Sequence, residues 1–194
     1  MEQITLKNTG NVKLTTTALV SGWSPLHAAA KEGHLEVAQF LVKQVGANME
    51  MLEHYDFTPL LVAAYYGHAD VVRGLAKLGA NVHYCADPQK LTALFAAVVR
   101  GHPGVVRVLI EQGADLEERN SSGSTPFLEA AKYGQAGVTQ ELARLGANIH
   151  CKTTSGEGAA MTAIQSNAGH GHIIAVIKAL KVGTRLSTVA HIVS

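Results

Sequence analysis

The sequence predicts an all-α solenoid in which short helical hairpins stack side by side and extended, β-hairpin-like fingers join them. Three recurring markers predict it. A hydroxyl residue opens each unit, at Ser24, Thr58, Thr92, Thr125 and Thr162. A glycine follows at nearly regular intervals, at Gly33, Gly67, Gly101, Gly134 and Gly171. A Gly-Ala pair then closes the first four units, and a period of about 33 residues is the signature of a repeat architecture.

Each marker has a physical role in a helical hairpin. The hydroxyl residues are predicted N-caps, because their side-chain oxygens can accept bonds from unpaired helix amides. Pro25, Pro59 and Pro126 follow at the first helical position, where the missing N–H has no cost. The glycines suit a left-handed helix end and a tight turn. A second helix follows, with apolar residues on one face, as at Val71, Val72, Leu75 and Leu78.

Spacing locates two irregularities. Gly46 lies one position further from Gly33 than the corresponding glycines do in the other repeats, which predicts a longer second helix in repeat one. The stretch from Gly146 to Thr162 is also longer than its counterparts, so we expect an enlarged finger before the fifth repeat. Since one repeat cannot bury its own apolar face, stacking must build a continuous core. We expect Phe40, Phe95 and Phe127 to face that core.

These motifs, such as Ser24-Pro25-Leu26-His27 and the repeated Gly-His and Gly-Ala-Asn, resemble those of the ankyrin repeat family, whose unit is about 33 residues. The resemblance implies four clear repeats and a degenerate fifth over residues 22–184, the fifth being a frayed or capping unit. The repeats are placed at about 22–54, 55–88, 89–121, 122–154 and 158–184. Residues 1–21 are expected to form a hairpin or a flexible tail, and 185–194 a cap or a tail.

Composition excludes several classes of protein. The chain has 194 residues, 47% of them hydrophobic and 16% charged, with a formal net charge of +1. This is too apolar for a disordered chain, and it lacks the basic surface that nucleic acid or an anionic membrane would require. No apolar run is long enough for a transmembrane helix, and no signal peptide is recognisable. A monomer in the cytoplasm or nucleus is expected.

The sequence offers few candidates for metal-binding, disulfide-forming or catalytic residues. Four of the ten histidines occupy the Gly-His slot of the repeat, and the one close pair, His170 and His172, has no cysteine nearby, so no metal site is expected. Cys85 and Cys151 lie in fingers two repeats apart, too far for a disulfide. The sequence has no phosphate-binding loop, nucleophile elbow or zinc-protease motif. We therefore expect neither catalysis nor a cofactor.

The positions of the aromatic residues indicate a candidate binding surface. The resemblance implies a concave groove, lined by the finger tips and the exposed ends of the first helices. All five tyrosines and the one tryptophan fall at such positions, and these residue types are enriched in interface hot spots. The alternative is that several cover gaps between repeats. The candidate partner-binding residues, with neighbouring charges, are Trp23, Tyr55, Phe57, Tyr65, Tyr66, Tyr84, Arg100, Arg119, Lys132 and Tyr133.

The expected function is non-catalytic recognition of another protein by an adaptor or scaffold. Two alternatives remain: a stoichiometric inhibitor or regulator of a kinase or transcription factor, and a bacterial or viral effector or a fragment of a longer chain. One family feature is missing. The asparagine that ties adjacent fingers together is replaced by Glu50, His83, Glu117 and His150. Bridging by asparagine is therefore not expected, and the signature histidine remains only at His27.

Overall fold

The computed structural model describes residues 22–86 and 90–165. The helices in this part are α1 Pro25–Glu32, α2 Leu35–Val45, α3 Pro59–Tyr66, α4 Ala69–Lys77, α5 Ala93–Arg100, α6 Pro103–Glu111, α7 Pro126–Lys132, α8 Ala136–Arg144 and α9 Ala159–Gln165. Strands β1 Cys85–Ala86 and β2 Leu91–Thr92 pair antiparallel in the third finger, with Cys85 opposite Thr92.

The helices form two layers. The first helices of the repeats, α1, α3, α5, α7 and α9, pack in sequence order as an inner layer. The second helices, α2, α4, α6 and α8, pack in the same order as an outer layer. In repeats one to four, each helix therefore contacts its own hairpin partner and a counterpart in an adjacent repeat, which is the arrangement of a solenoid.

The predicted N-caps of the first four repeats are confirmed. The hydroxyls of Ser24, Thr58, Thr92 and Thr125 each accept a bond from the backbone N–H three residues later. Gly33, Gly67 and Gly101 end α1, α3 and α5 in left-handed conformation, with φ of 76° at Gly33 for example. A Cβ at Gly33 would lie 2.4 Å from Nδ1 of His68, so both φ and the close approach of the next repeat require glycine here.

The core lies between the two layers and runs through the repeats. Leu26, Leu60, Leu94 and Phe127, at equivalent positions of α1, α3, α5 and α7, are fully buried. The outer helices add residues such as Val71, Val72, Leu75 and Leu109 to the same cluster. The alanine pairs of the inner helices are also buried, which allows the close helix approach that the motif predicts.

Each finger returns to the next helix through a tight turn whose tip has a positive φ. This tip lies two residues before the N-cap position, at Gly22, Asp56, Lys90, Gly123 and Gly156. Three tips are glycine, for which the conformation is unstrained, while Asp56 (φ 60°) and Lys90 (φ 50°) carry a side chain there. The turn is thus a second regular marker of the repeat.

Two expectations for the fifth repeat are wrong. Helix α9 begins at Ala159, so Thr162 lies inside it; Thr162 does not cap the helix but donates its hydroxyl to the carbonyl of Gly158. With Gly158 at the position before the helix, its separation from Gly146 equals that of Thr125 from Gly113. The preceding finger is therefore not enlarged, and α9 begins without a hydroxyl cap.

The expectation for Phe40 is also wrong, whereas Phe95 and Phe127 are buried as expected. Phe40 lies on α2 and is 50% exposed, beside Val37, which is 38% exposed. The inward positions of α2 are taken by Ala38 and Leu41, so Phe40 falls on its outer face. Helix α2 has 11 residues against nine in α4, α6 and α8, which confirms that the second helix of repeat one is longer.

Ion pairs connect the outer helices. Arg73 of α4 pairs with Glu111 of α6 at 2.8 Å. Glu141 of α8, which is 7% exposed, accepts bonds from Arg107 of α6 and Arg144 of its own helix, each at 2.7 Å. These two guanidiniums lower the pKa of Glu141 to about 2 from an ordinary 4.5.

Several expectations fall on residues outside the described ranges. They are the hairpin or tail over 1–21, the histidine pair at 170 and 172, the part of the fifth repeat after residue 165, and the cap or tail over 185–194. Within residues 22–86 and 90–165, no helix has the length and apolar character needed to cross a membrane.

Candidate partner-binding groove

A pocket of about 440 Å³ opens between the inner helices and the fingers of repeats two to four. Its lining residues come from α3, α5 and α7 on one side and from the fingers on the other, and we call this surface the groove. The aromatic and aliphatic part of the lining comprises Phe57, Tyr65, Leu91, Phe95, Ala96, Val99 and Tyr133. The polar part comprises Lys90, Arg100, Asn120, Ser121, Ser122, Glu129 and Lys132.

A continuous row of aromatic rings leads from the second finger into the groove. The ring of Tyr55 lies 6.5 Å from that of Phe57, which lies 6.2 Å from Tyr65, which lies 5.2 Å from Tyr66. Tilted and edge-on contacts at these distances are favourable. Tyr55 is 72% and Tyr66 43% exposed, so the row presents much of its surface to solvent.

Cationic side chains cover several of these rings. The guanidinium of Arg100 lies 4.6 Å from the ring centre of Tyr65, and Nζ of Lys132 lies 5.3 Å from that of Tyr133. Nζ of Lys31 lies 5.7 Å from both Trp23 and Tyr66. Each such contact contributes about 0.5–1 kcal/mol at an exposed site. The surface is thus aromatic and positively charged together.

A buried carboxylate lies next to Lys132. Glu129 occupies the middle of α7, and its side chain is 4% exposed. Its Oε1 has no hydrogen-bond partner, and the nearest cation, Nζ of Lys132, is 3.8 Å away, beyond hydrogen-bond reach. A buried polar atom without a donor costs about 1–3 kcal/mol or more. Residue identity alone gave no signal for this feature, since Glu129 reads as an ordinary polar position of the repeat.

The remaining candidate residues divide between surface and structural positions. Trp23 is half-buried, and its ring lies 5.8 Å from His27 at the start of the described chain. The hydroxyl of Tyr84 donates to the carbonyl of Asp56, at 2.9 Å, so it ties the third finger to the second. Arg119 donates to the carbonyls of Gly123 and Lys152 in the fourth and fifth fingers. For Tyr84 and Arg119 the structure therefore supplies a role in holding neighbouring fingers together.

His27 joins the first two repeats. Its Nδ1 accepts the backbone N–H of Ser24 at 3.1 Å, so Nε2 carries the proton and donates to the carbonyl of Phe57 at 2.9 Å. The ring is fully buried. Burial lowers the pKa of His27 from its ordinary 6.5, although the Phe57 carbonyl and the charge of Glu53 act in the opposite direction.

The Gly-His slot works in the same way between later repeats. Nε2 of His68 and Nε2 of His102 contact the carbonyls of Lys31 and Tyr65, at 2.7 and 3.1 Å. Gln135, which replaces histidine in the fourth repeat, donates to the carbonyl of Val99 at 2.8 Å. These side chains hold the ends of the inner helices in place, and with them the tyrosines of the groove.

Glutamate takes over the bridging that asparagine would provide. Oε1 of Glu50 accepts the backbone N–H of Asn81 in the next finger at 2.8 Å. Oε1 of Glu117 accepts the N–H of Asn148 at 2.6 Å. The sequence showed that asparagine was missing but not that a carboxylate at the same position can accept the same bond. The recurrence of glutamate at Glu50 and Glu117, two repeats apart, was the available signal.

The structure places the candidate metal ligands and the two cysteines as follows. No group of three or more His, Cys, Asp or Glu side chains that could hold a metal ion occurs in 22–86 or 90–165. Cys151 is buried beside the Thr125 hydroxyl, at 3.1 Å, and burial raises the pKa of its thiol. Cys85 is exposed, and neither cysteine forms a disulfide.

Comparison with known families agrees with this architecture. The family model for ankyrin repeats (three copies) matches residues 2–85 and 78–153. The chain belongs to the ankyrin repeat family. The expected ankyrin solenoid is thereby confirmed, and ankyrin repeats are generally protein–protein interaction modules and typically non-catalytic. No curated protein matches the sequence.

Proposed function

We propose that this ankyrin chain is a non-catalytic adaptor or scaffold that binds a partner protein through the groove. The observation that carries the proposal is the row of partly exposed aromatic rings, Tyr55 to Tyr66, that continues into the 440 Å³ pocket bordered by Tyr133. Large aromatic surfaces in a concave site, surrounded by charge, are typical of interface hot spots. We also propose that the protein is a monomer, that it acts in the cytoplasm or nucleus, and that its partner is neither a nucleic acid nor a membrane.

Preorganisation supports this function. Tyr65 lies at a helix end that is bonded to the next repeat, because its carbonyl contacts Nε2 of His102 at 3.1 Å. A site that is already ordered loses little conformational entropy when a partner binds. A few aromatic anchors can therefore determine the affinity without rearrangement of the solenoid.

The test compares the groove with the outer surface. A variant carrying Tyr65→Ala, Tyr66→Ala and Tyr133→Ala is used to capture proteins from a lysate, beside wild type and a control carrying Val37→Ala and Phe40→Ala on α2. We expect the groove variant to lose at least one protein that wild type and the control both retain. Truncation of a hot-spot residue costs about 2 kcal/mol, or about thirtyfold in affinity.

Stability separates binding from packing. Tyr66 and Tyr133 are 43% and 49% exposed, so their truncation is expected to change the melting temperature little. A large fall in melting temperature would assign the tyrosines to packing between repeats. Equal capture by both variants would remove them from the binding site.

A further inference from the structure

The groove contains an acceptor that is prepared for a hydrogen-bond donor. Oε1 of Glu129 is buried and has no hydrogen-bond partner, and Glu129 belongs to the lining of the pocket. The Glu129 side chain is 4% exposed, and Nζ of Lys132 stands 3.8 Å from this oxygen. Buried carboxylate oxygens normally accept hydrogen bonds. Because this oxygen is buried, a donor that enters the pocket can bond to it only once a side chain that covers it moves aside.

Half of the residues that line the pocket are aromatic or aliphatic. Phe57, Tyr65 and Tyr133 line the pocket together with Phe95 and Ala96. Its volume of about 440 Å³ lies in the range of sites that hold a small molecule or one large side chain. The donor should therefore be carried by a flat, largely apolar group that can lie against these rings.

The charges around the pocket determine which residues of a partner can lie next to the donor group. Among the described residues of the lining, Lys90, Arg100 and Lys132 are cationic and Glu129 is the one acidic residue. A cationic side chain that approached Glu129 would meet three like charges, while carboxylates would be attracted to them. The neutral donors of tryptophan and tyrosine satisfy Glu129 without this repulsion.

We propose that the pocket receives a tryptophan or tyrosine side chain from a protein segment whose neighbouring residues are acidic. Its N–H or O–H donates to Oε1 of Glu129, and its ring lies against Phe57, Tyr65 and Tyr133. The flanking carboxylates pair with Lys90, Arg100 and Lys132. This inference rests on the proposed function and specifies the chemistry of the partner.

A randomised peptide display library tests the proposal while the partner itself is unidentified. The full chain is used as bait, and peptides selected by wild type are compared with those selected by Glu129→Gln and by the outer-surface control Glu36→Gln. We expect wild type and the control to enrich tryptophan or tyrosine flanked by aspartate or glutamate. Enrichment of lysine- or arginine-rich peptides, of donor-free apolar peptides, or of none would overturn the proposal.

The hydrogen bond itself is tested with one selected peptide, labelled for fluorescence anisotropy. Replacing its tryptophan or tyrosine by phenylalanine removes the donor but keeps the ring, and we expect wild-type affinity to fall about tenfold. The Glu129→Gln protein should bind the original peptide no more than about threefold more tightly than the peptide with phenylalanine. An equal donor preference in both proteins would show that the donor bonds elsewhere.

The charge requirement has its own control. Arg100→Gln should weaken the acidic peptide about three- to tenfold, and salt at about 0.5 M should weaken it similarly, whereas Lys77→Gln on α4 should not. The peptide with phenylalanine remains informative even where a protein variant fails to fold, because it is measured on wild type. If the groove variant of the preceding subsection loses its captured protein while no acidic aromatic peptide binds, the proposed function stands and this inference fails.

Discussion

Glu141 is expected to be the strongest electrostatic contributor to stability in the outer helix layer. Its carboxylate is 7% exposed and bridges Arg107 and Arg144, each at 2.7 Å. We consider the change Glu141→Gln, which keeps the shape of the side chain and removes its charge. The control is Glu111→Gln, whose partner Arg73 is bound at a similar distance but in a pair that is about 40% exposed on both sides.

The magnitude follows from the pKa. A decrease from 4.5 to about 2 corresponds to about 3 kcal/mol, at 1.36 kcal/mol per pKa unit. The guanidiniums of Arg107 and Arg144 are 48% and 60% exposed, so water screens both pairs and we expect about 1–2 kcal/mol. The exposed control pair should contribute below about 1 kcal/mol.

The dependence on pH has a definite sign. Because the pKa of Glu141 is lower in the folded than in the unfolded chain, folding is favoured while the group is ionised in both states, above pH 4.5. The contribution is lost as the pH falls from 4.5 towards 2, since the unfolded chain then binds a proton that the folded chain does not. More than half of it should be gone at pH 3.

Urea unfolding followed by circular dichroism measures the effect. At pH 7 the unfolding free energy of Glu141→Gln should lie below that of wild type by the amount just given, and at pH 3 the difference should be less than half as large. A difference that is the same at both values of pH would refute the ionic explanation. A Glu141→Gln protein as stable as wild type at pH 7 would show that the two arginines give no net stabilisation.

Three further predictions concern the contacts between repeats. Because burial lowers the pKa of His27, folded stability should fall as the pH decreases below 6.5, and His27→Gln should flatten urea-unfolding profiles between pH 7 and 5. Lys90→Gly removes a side chain from φ 50° and should raise stability by about 0.5–1 kcal/mol, measured by thermal unfolding with Lys77→Gly, inside α4, as the destabilised control. Glu117→Ala should speed amide exchange at Asn148, and Glu36→Ala should not.

Local chemistry made the inner helices predictable from the sequence. Each hydroxyl cap bonds to a backbone N–H only three residues away, so the local sequence determines it. The caps are Ser24, Thr58, Thr92 and Thr125. The fifth repeat was misplaced because Thr162 resembles such a cap, while the position before α9 is Gly158. The regular repeat period, which leads from Thr125 to Gly158, was the better guide, since stacking keeps the register even where the cap residue changes.

Features that depend on a neighbouring repeat were predicted less well. The exposure of Phe40 depends on which face of α2 meets α4, and amphipathic spacing left that ambiguous for a helix with apolar residues on several sides. The bridge from Glu50 to Asn81 and the unpaired oxygen of Glu129 both depend on distances between repeats. The tyrosines of the groove were located by their repeat position, but the row they form required the structure.

Site-specific photo-cross-linking shows whether a partner binds the groove or the outer face of the solenoid. A benzophenone amino acid is placed at Tyr66 in the groove or at Phe40 on the outer helix, two aromatic positions of similar exposure, 43% and 50%. After irradiation in a lysate, we expect the variant with the probe at position 66 to form a discrete cross-link to another protein that the variant with the probe at position 40 does not form. Cross-linking of such a protein from position 40 alone would contradict it, because the partner would then bind the outer face of the solenoid.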